Sequence, residues 1–120
     1  DKPFSAKYNM GEQSQFVNVP MAKVALQQLL EWGVNNIQSY CKNIVDEIQP
    51  LLEEKNIWIE DEAFRANHLF GLIPHTPLDI SFKQKLSDHK VYVSFRGESI
   101  RVAPYVHNTS KDLEFLIQLI

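Results

Sequence analysis

The stretch Val91-Tyr92-Val93-Ser94-Phe95-Arg96-Gly97-Glu98-Ser99-Ile100-Arg101-Val102-Ala103 decides the fold. Val91 to Phe95 alternates in polarity and is rich in β-branched and aromatic residues, which suit a pleated, half-buried surface. Arg96-Gly97-Glu98 supplies a turn, and Ser99 to Ala103 alternates again. Two such runs joined by a short glycine-bearing turn predict an antiparallel hairpin. Antiparallel strands need little connecting chain, so the helical patterns on either side of this hairpin need not be crossovers of a parallel sheet.

Working outward, Asn108-Thr109-Ser110 is a helix entrance, with Thr109 and Asp112 spaced as a weak capping box. Leu113, Leu116, Ile117 and Ile120 then face one way at helical spacing. Upstream, Leu78 to Asp88 is helical, with Leu78, Phe82 and Leu86 on one face, and Pro74 and Pro77 bracket a turn. Ile57-Trp58-Ile59 and Asn67 to Ile73 are further strands. A longer helix runs from Asn35 or Asn36 to about Lys55, with Ile37, Tyr40/Cys41, Ile44/Val45, Ile48 and Leu51/Leu52 along its apolar stripe. Pro50 lies inside it and predicts a kink, because its nitrogen cannot donate to residue 46. Before that, Asn18 caps a first helix with Pro20 in its first turn, Met21, Val24, Ala25, Leu29 and Trp32 recur at helical spacing, and Gly33 stops it. The order ααββαββα, with strands and helices intermixed, predicts an α+β domain: a small antiparallel sheet with helices packed on one face. Residues 1–16, polar and without period, are expected to be a connecting loop, and 17–120 a single small domain.

The chain has 120 residues, 44% of them hydrophobic, enough for one core. A net charge of −3 offers no electrostatic reason to expect nucleic acid or an anionic membrane as partner. No apolar run reaches the roughly 18 residues of a membrane span. The single cysteine, Cys41, excludes an intrachain disulfide, makes a zinc cluster not credible, and favours a reducing, cytoplasmic setting. The start at Asp1 carries no signal-peptide pattern and suggests a piece of a longer protein.

Chemistry-bearing patterns are sparse. His68, His75, His89 and His107 fall on different elements, without metal-ligand or triad spacing, and read as surface or structural residues. The four glycines are too far apart for a phosphate loop. Glu60-Asp61-Glu62 fits a solvated turn better than a metal site, so no metal is expected. Cys41, on an apolar stripe, reads as a small core hydrophobe rather than a reactive thiol. His89-Lys90 reads as a polar connection rather than a cofactor lysine. Arg96 and Arg101 are different: two planar guanidinium forks beside one hairpin suggest a carboxylate-binding position. The alternative is a pair of solvated surface arginines.

At these residues the sequence resembles a known family. VYVSFRGESIRVAPYVHNTSKDLEFLIQLI is similar to the end of class V aminotransferases, fold-type I enzymes that depend on pyridoxal phosphate. Those chains carry an R-x-G, an isoleucine-arginine strand and a Tyr-Asn-Thr before an acidic helix start, where this chain has Arg96-Gly97 and His107-Asn108-Thr109. YNMGEQSQFVNVPMAKVALQQLLEWGVNNIQSYC resembles the segment where they pass from the large domain into the small one. The match runs in order through nearly the whole chain.

The resemblance implies that this is the C-terminal small domain of a dimeric enzyme acting on an amino acid. The large domain, with the cofactor lysine, would lie outside this chain. No pyridoxal phosphate is expected on this piece alone, and no catalytic residue within it. Arg101, with Arg96 nearby, would hold the substrate carboxylate. The loop with Gly11 and Ser14 would approach the cofactor phosphate of the neighbouring subunit, although Glu12 replaces the family's usual threonine. Asn108 and Thr109 would start the last helix, a structural role. Only Gly97-Glu98-Ser99-Ile100 separates the two arginines, with no room for a loop carrying a catalytic cysteine. A desulfurase is thus disfavoured, leaving a transaminase, lyase or epimerase. The rival expectation is a stand-alone ligand-binding or regulatory module without catalysis.

Overall fold

A computed structural model describes Phe4 and residues 16–120. The expected loop over 1–16 thus lies outside the described residues except for Phe4 and Phe16, and so do Gly11 and Ser14. The chain divides into two compact units, Asp1–Val34 and Asn35–Ile120.

In the first unit, α1 spans Asn18–Trp32. Asn18 is inside the helix rather than its cap; Val17 takes the cap position with helical dihedrals and no side-chain bond. Gly33 ends α1 as the sequence predicts. Its φ of 80° is one that only glycine adopts without strain, and its N–H donates to the Leu29 carbonyl at 3.0 Å. Along α1, Met21, Val24, Leu26, Leu30 and Trp32 are exposed, and none of its residues is buried.

The second unit is the α+β body. It holds α2 (Val34–Glu54, entered one residue before the boundary), β1 (Ile57–Ile59), β2 (Phe70–Pro74), α3 (Phe82–Asp88), β3 (Ser94–Arg96), β4 (Ser99–Val102) and α4 (Ser110–Leu119). The strands form one antiparallel sheet in the order β1-β2-β4-β3. Ile44, Val45, Ile48 and Leu52 of α2, Phe82 and Leu86 of α3, and Leu113, Leu116, Ile117 and Leu119 of α4 share one core with Ile57, Phe70, Leu72, Ile100 and Val102 of the sheet. Those sheet residues occupy alternate positions, so these three helices cover one face.

Several element ends differ from the sequence expectation. α3 begins at Phe82, not Leu78: the Asp79 carboxylate accepts from the Ser81 N–H at 2.7 Å and holds the chain in a turn. The same bond keeps the Asp79 carboxyl below its ordinary pKa. Leu78 still packs against the core. β2 begins at Phe70, not Asn67, because Ala66 and Leu69 close a small bridge of their own. β3 begins at Ser94, not Val91. Val91 and Val93 nonetheless pack against the core.

The ends of the body are tied by side chains. Asp112 accepts from the Thr109 N–H at 2.8 Å and closes the capping box of α4. Asn108 accepts from the Tyr105 N–H at 3.0 Å, and Tyr40 donates from α2 to the Asn108 carbonyl at 2.7 Å. Lys42 bridges Asp46 and Glu62, joining α2 to the 3-10 turn Glu62–Phe64.

Candidate carboxylate site on the open sheet face

Because successive strand residues point to opposite faces, the positions between the core residues define the sheet's uncovered face. On β4 these are Ser99 and Arg101, on β3 Ser94 and Arg96, on β2 Gly71 and Ile73, and on β1 Trp58. The register arranges them in two rows. Arg101 stands between Ser94 and Gly71. In the next row Arg96 pairs with Ser99, and Trp58 pairs with Ile73.

Arg96 and Arg101 are therefore diagonal neighbours on one face, a separation of about 7–8 Å between backbone positions. The hairpin turn is what brings them together. Gly97, at φ 60°, lets two residues reverse the chain between Arg96 and Ser99. A longer turn would lengthen the loop, and an odd slip in register would throw one arginine to the core face.

Both guanidinium groups are exposed and lack an acid partner among the described residues. Arg96 Nη1 makes one long contact, 3.4 Å, with the carbonyl of Phe95. Among the described residues Arg101 makes no hydrogen bond or ion pair, and the two ion pairs present both belong to Lys42. Arg65 shows what a structural arginine looks like here. Its Nε donates to the Glu60 carbonyl at 2.9 Å, its Nη1 to Asn67 Oδ1 at 3.0 Å, and it lies over the Phe70 ring. Two unspent forks beside each other can grip a carboxylate through charge-assisted bonds.

The floor beside Arg101 is low. Gly71 has no side chain, and a Cβ there would run into the Ser99 hydroxyl. Where Ile73 and Trp58 meet the hairpin end of the sheet, a cleft of about 670 Å³ opens, lined by both of them with Pro74, His75 and Glu98.

The remaining candidates are placed apart from this face. Cys41 is wholly buried, its Sγ 3.8 Å from the Pro104 carbonyl, and burial pushes its thiol pKa up. His68 Nδ1 accepts from Gln38, and His89 Nδ1 faces the Lys85 carbonyl at 2.8 Å, so that nitrogen carries the proton. Lys90, at φ 57°, closes the turn after α3. Among the described residues no group of acids, histidines and cysteine could hold a metal, and no helix is long and apolar enough to cross a membrane.

A comparison with protein-family models, with curated proteins and with solved structures finds no match to this chain. The site therefore rests on its own geometry. Arg96 and Arg101 are legible in the sequence. Trp58, Gly71, Ile73 and Ser99 are not singled out there; their signal is the alternation of β1 and β2, which acquires a meaning only once those strands are paired with β4.

Proposed function

We propose that this chain is the carboxylate-gripping small domain of an enzyme acting on an amino acid, of the class V aminotransferase kind. The observation that carries this reading is the pair Arg96 and Arg101, diagonal neighbours on the uncovered sheet face with no acid among the described residues to neutralise them. The Arg96-Gly97 turn, where the family has R-x-G, the isoleucine-arginine strand and the Asn-Thr entrance to α4 support it as a resemblance.

Pyridoxal phosphate, on which that family depends, is not accommodated by the described residues alone. No polar or charged residue among them is buried. Their lysines stand at the surface or, for Lys42, half-buried between Asp46 and Glu62, whose hydrogen bonds raise its pKa rather than lower it. The part proposed for this chain is therefore binding and orientation. Arg101 takes the substrate carboxylate in two-pronged fashion, and Arg96 adds charge from the diagonal position. The rest of the enzyme and a second subunit are the partners this reading requires.

The test is a titration of the chain with L-alanine and with L-alaninamide, followed at the Nε–Hε signal of Arg101 by NMR. The amino acid should move that signal and the amide should not. Arg101→Ala should abolish the response, and Arg101→Lys should weaken it. Equal responses to acid and amide would refute the reading.

A further inference from the structure

From the same face we infer the class of substrate: a monocarboxylate amino acid with an aromatic or bulky apolar side chain, whose body lies over Ile73 against Trp58. This inference rests on the carboxylate reading of Arg101 and adds to it the other half of the face.

Trp58 is half exposed, a large apolar surface left in water on a strand whose neighbours Ile57 and Ile59 serve the core. Its cross-strand partner is Ile73, also on the uncovered face. Together they form an apolar patch beside the two arginines. Two strand spacings separate β4 from β1, so the backbones of Arg101 and Trp58 stand about 10–12 Å apart once the diagonal offset is included. The low strip at Gly71, where the Ser99 hydroxyl is the nearest side-chain atom, lies between them. A molecule with its carboxylate on the arginine side and a flat apolar group on the tryptophan side spans that strip.

Charge adds a second selection. The cleft beside Trp58 and Ile73 is also lined by Glu98 and Glu53. A second carboxylate placed there would meet like charge, so acidic side chains are rejected at the end where an aromatic ring is welcomed. An aromatic face on Trp58 gains both area burial and ring–ring attraction.

The experiment titrates the chain with 3-phenylpropionate, butyrate and glutarate, following the Trp58 indole N–H and the Arg101 Nε–Hε signals together. Phenylpropionate should move both and bind roughly three- to tenfold more tightly than butyrate, the worth of an aromatic contact. Glutarate should gain nothing over butyrate. Trp58→Ala should erase the advantage of phenylpropionate without changing butyrate, and Trp58→Phe should keep most of it. If butyrate matches phenylpropionate at Arg101, the substrate class is wrong and the carboxylate site stands. If phenylpropionate moves Trp58 but leaves Arg101 still, the two halves do not form one site and the inference fails. If no carboxylate moves Arg101, the underlying reading falls and takes this one with it.

Discussion

Gly71 and Arg101 stand directly opposite each other in the β2–β4 register, and the Ser99 hydroxyl leans over the space that a side chain at 71 would take. The sheet thus keeps a low strip beside its exposed arginine, with the Ser99 hydroxyl over it. Gly71→Ala should cost the fold less than about 1 kcal/mol, since the Ser99 hydroxyl is the end of a short side chain and can turn to another rotamer. Carboxylate binding at Arg101 should nonetheless weaken several-fold. Melting curves and the alanine titration on the same variant separate the two effects. The double variant Gly71→Ala with Ser99→Ala should recover any lost stability but not the binding.

Arg101→Ala should leave stability within about 0.5 kcal/mol of the parent, because an exposed side chain without partners holds nothing in place. In the enzyme to which this domain is proposed to belong, kcat/KM should fall roughly 10- to 100-fold, since charged hydrogen bonds contribute about 1.5–3 kcal/mol. If the melting temperature collapses instead, the arginine is structural.

The core and α1 should respond in opposite ways to the same kind of truncation. Ile48 is fully buried between α2 and the sheet, and Ile48→Ala should cost about 2–5 kcal/mol. Leu30 on α1 is 75% exposed, and Leu30→Ala should change the unfolding free energy by less than about 0.5 kcal/mol. Denaturant titrations of the two variants provide the comparison. A large loss for Leu30→Ala would show that α1 is packed in solution.

Cys41 should be protected from iodoacetamide in the folded chain and labelled quickly in denaturing urea. Burial disfavours its thiolate and raises its pKa, so the unfolded chain releases the proton first. The sign follows from that order: stability linked to this thiol is complete below the ordinary thiol range. It is lost as the pH rises above that range toward the raised folded value. Fast native labelling near neutral pH would show that the site opens.

Tyr40→Phe should destabilise the body by about 0.5–1.5 kcal/mol, the worth of one hydrogen bond. The lost bond ties α2 to the Asn108 carbonyl just before α4. Amide exchange in the first turn of α4 should accelerate selectively. Unchanged exchange there would show that Asn108 and the capping box hold the turn without Tyr40.

The element order, the hairpin, the long helix containing Pro50, the stop at Gly33 and the capping box at Thr109 were all determined by the sequence itself. Each depends on residues close along the chain: alternation, helical spacing, a glycine where φ turns positive, a carboxylate three residues past a threonine. That Arg96 and Arg101 lie near one another on one hairpin was legible for the same reason, since both flank the turn at Gly97. The tertiary structure alone decided the rest. It set where β2 and α3 begin, because the Asp79 turn and the Ala66–Leu69 bridge compete locally with the periodic pattern. It also put Gly71 beside Arg101 and joined Trp58 and Ile73 to the same face. Those contacts cross 15 residues of chain for Trp58 and Ile73 and 30 for Gly71 and Arg101, and no periodicity within one strand states which strand will lie next to it; burial of Ile57, Phe70, Leu72, Ile100 and Val102 in a common core fixes that register.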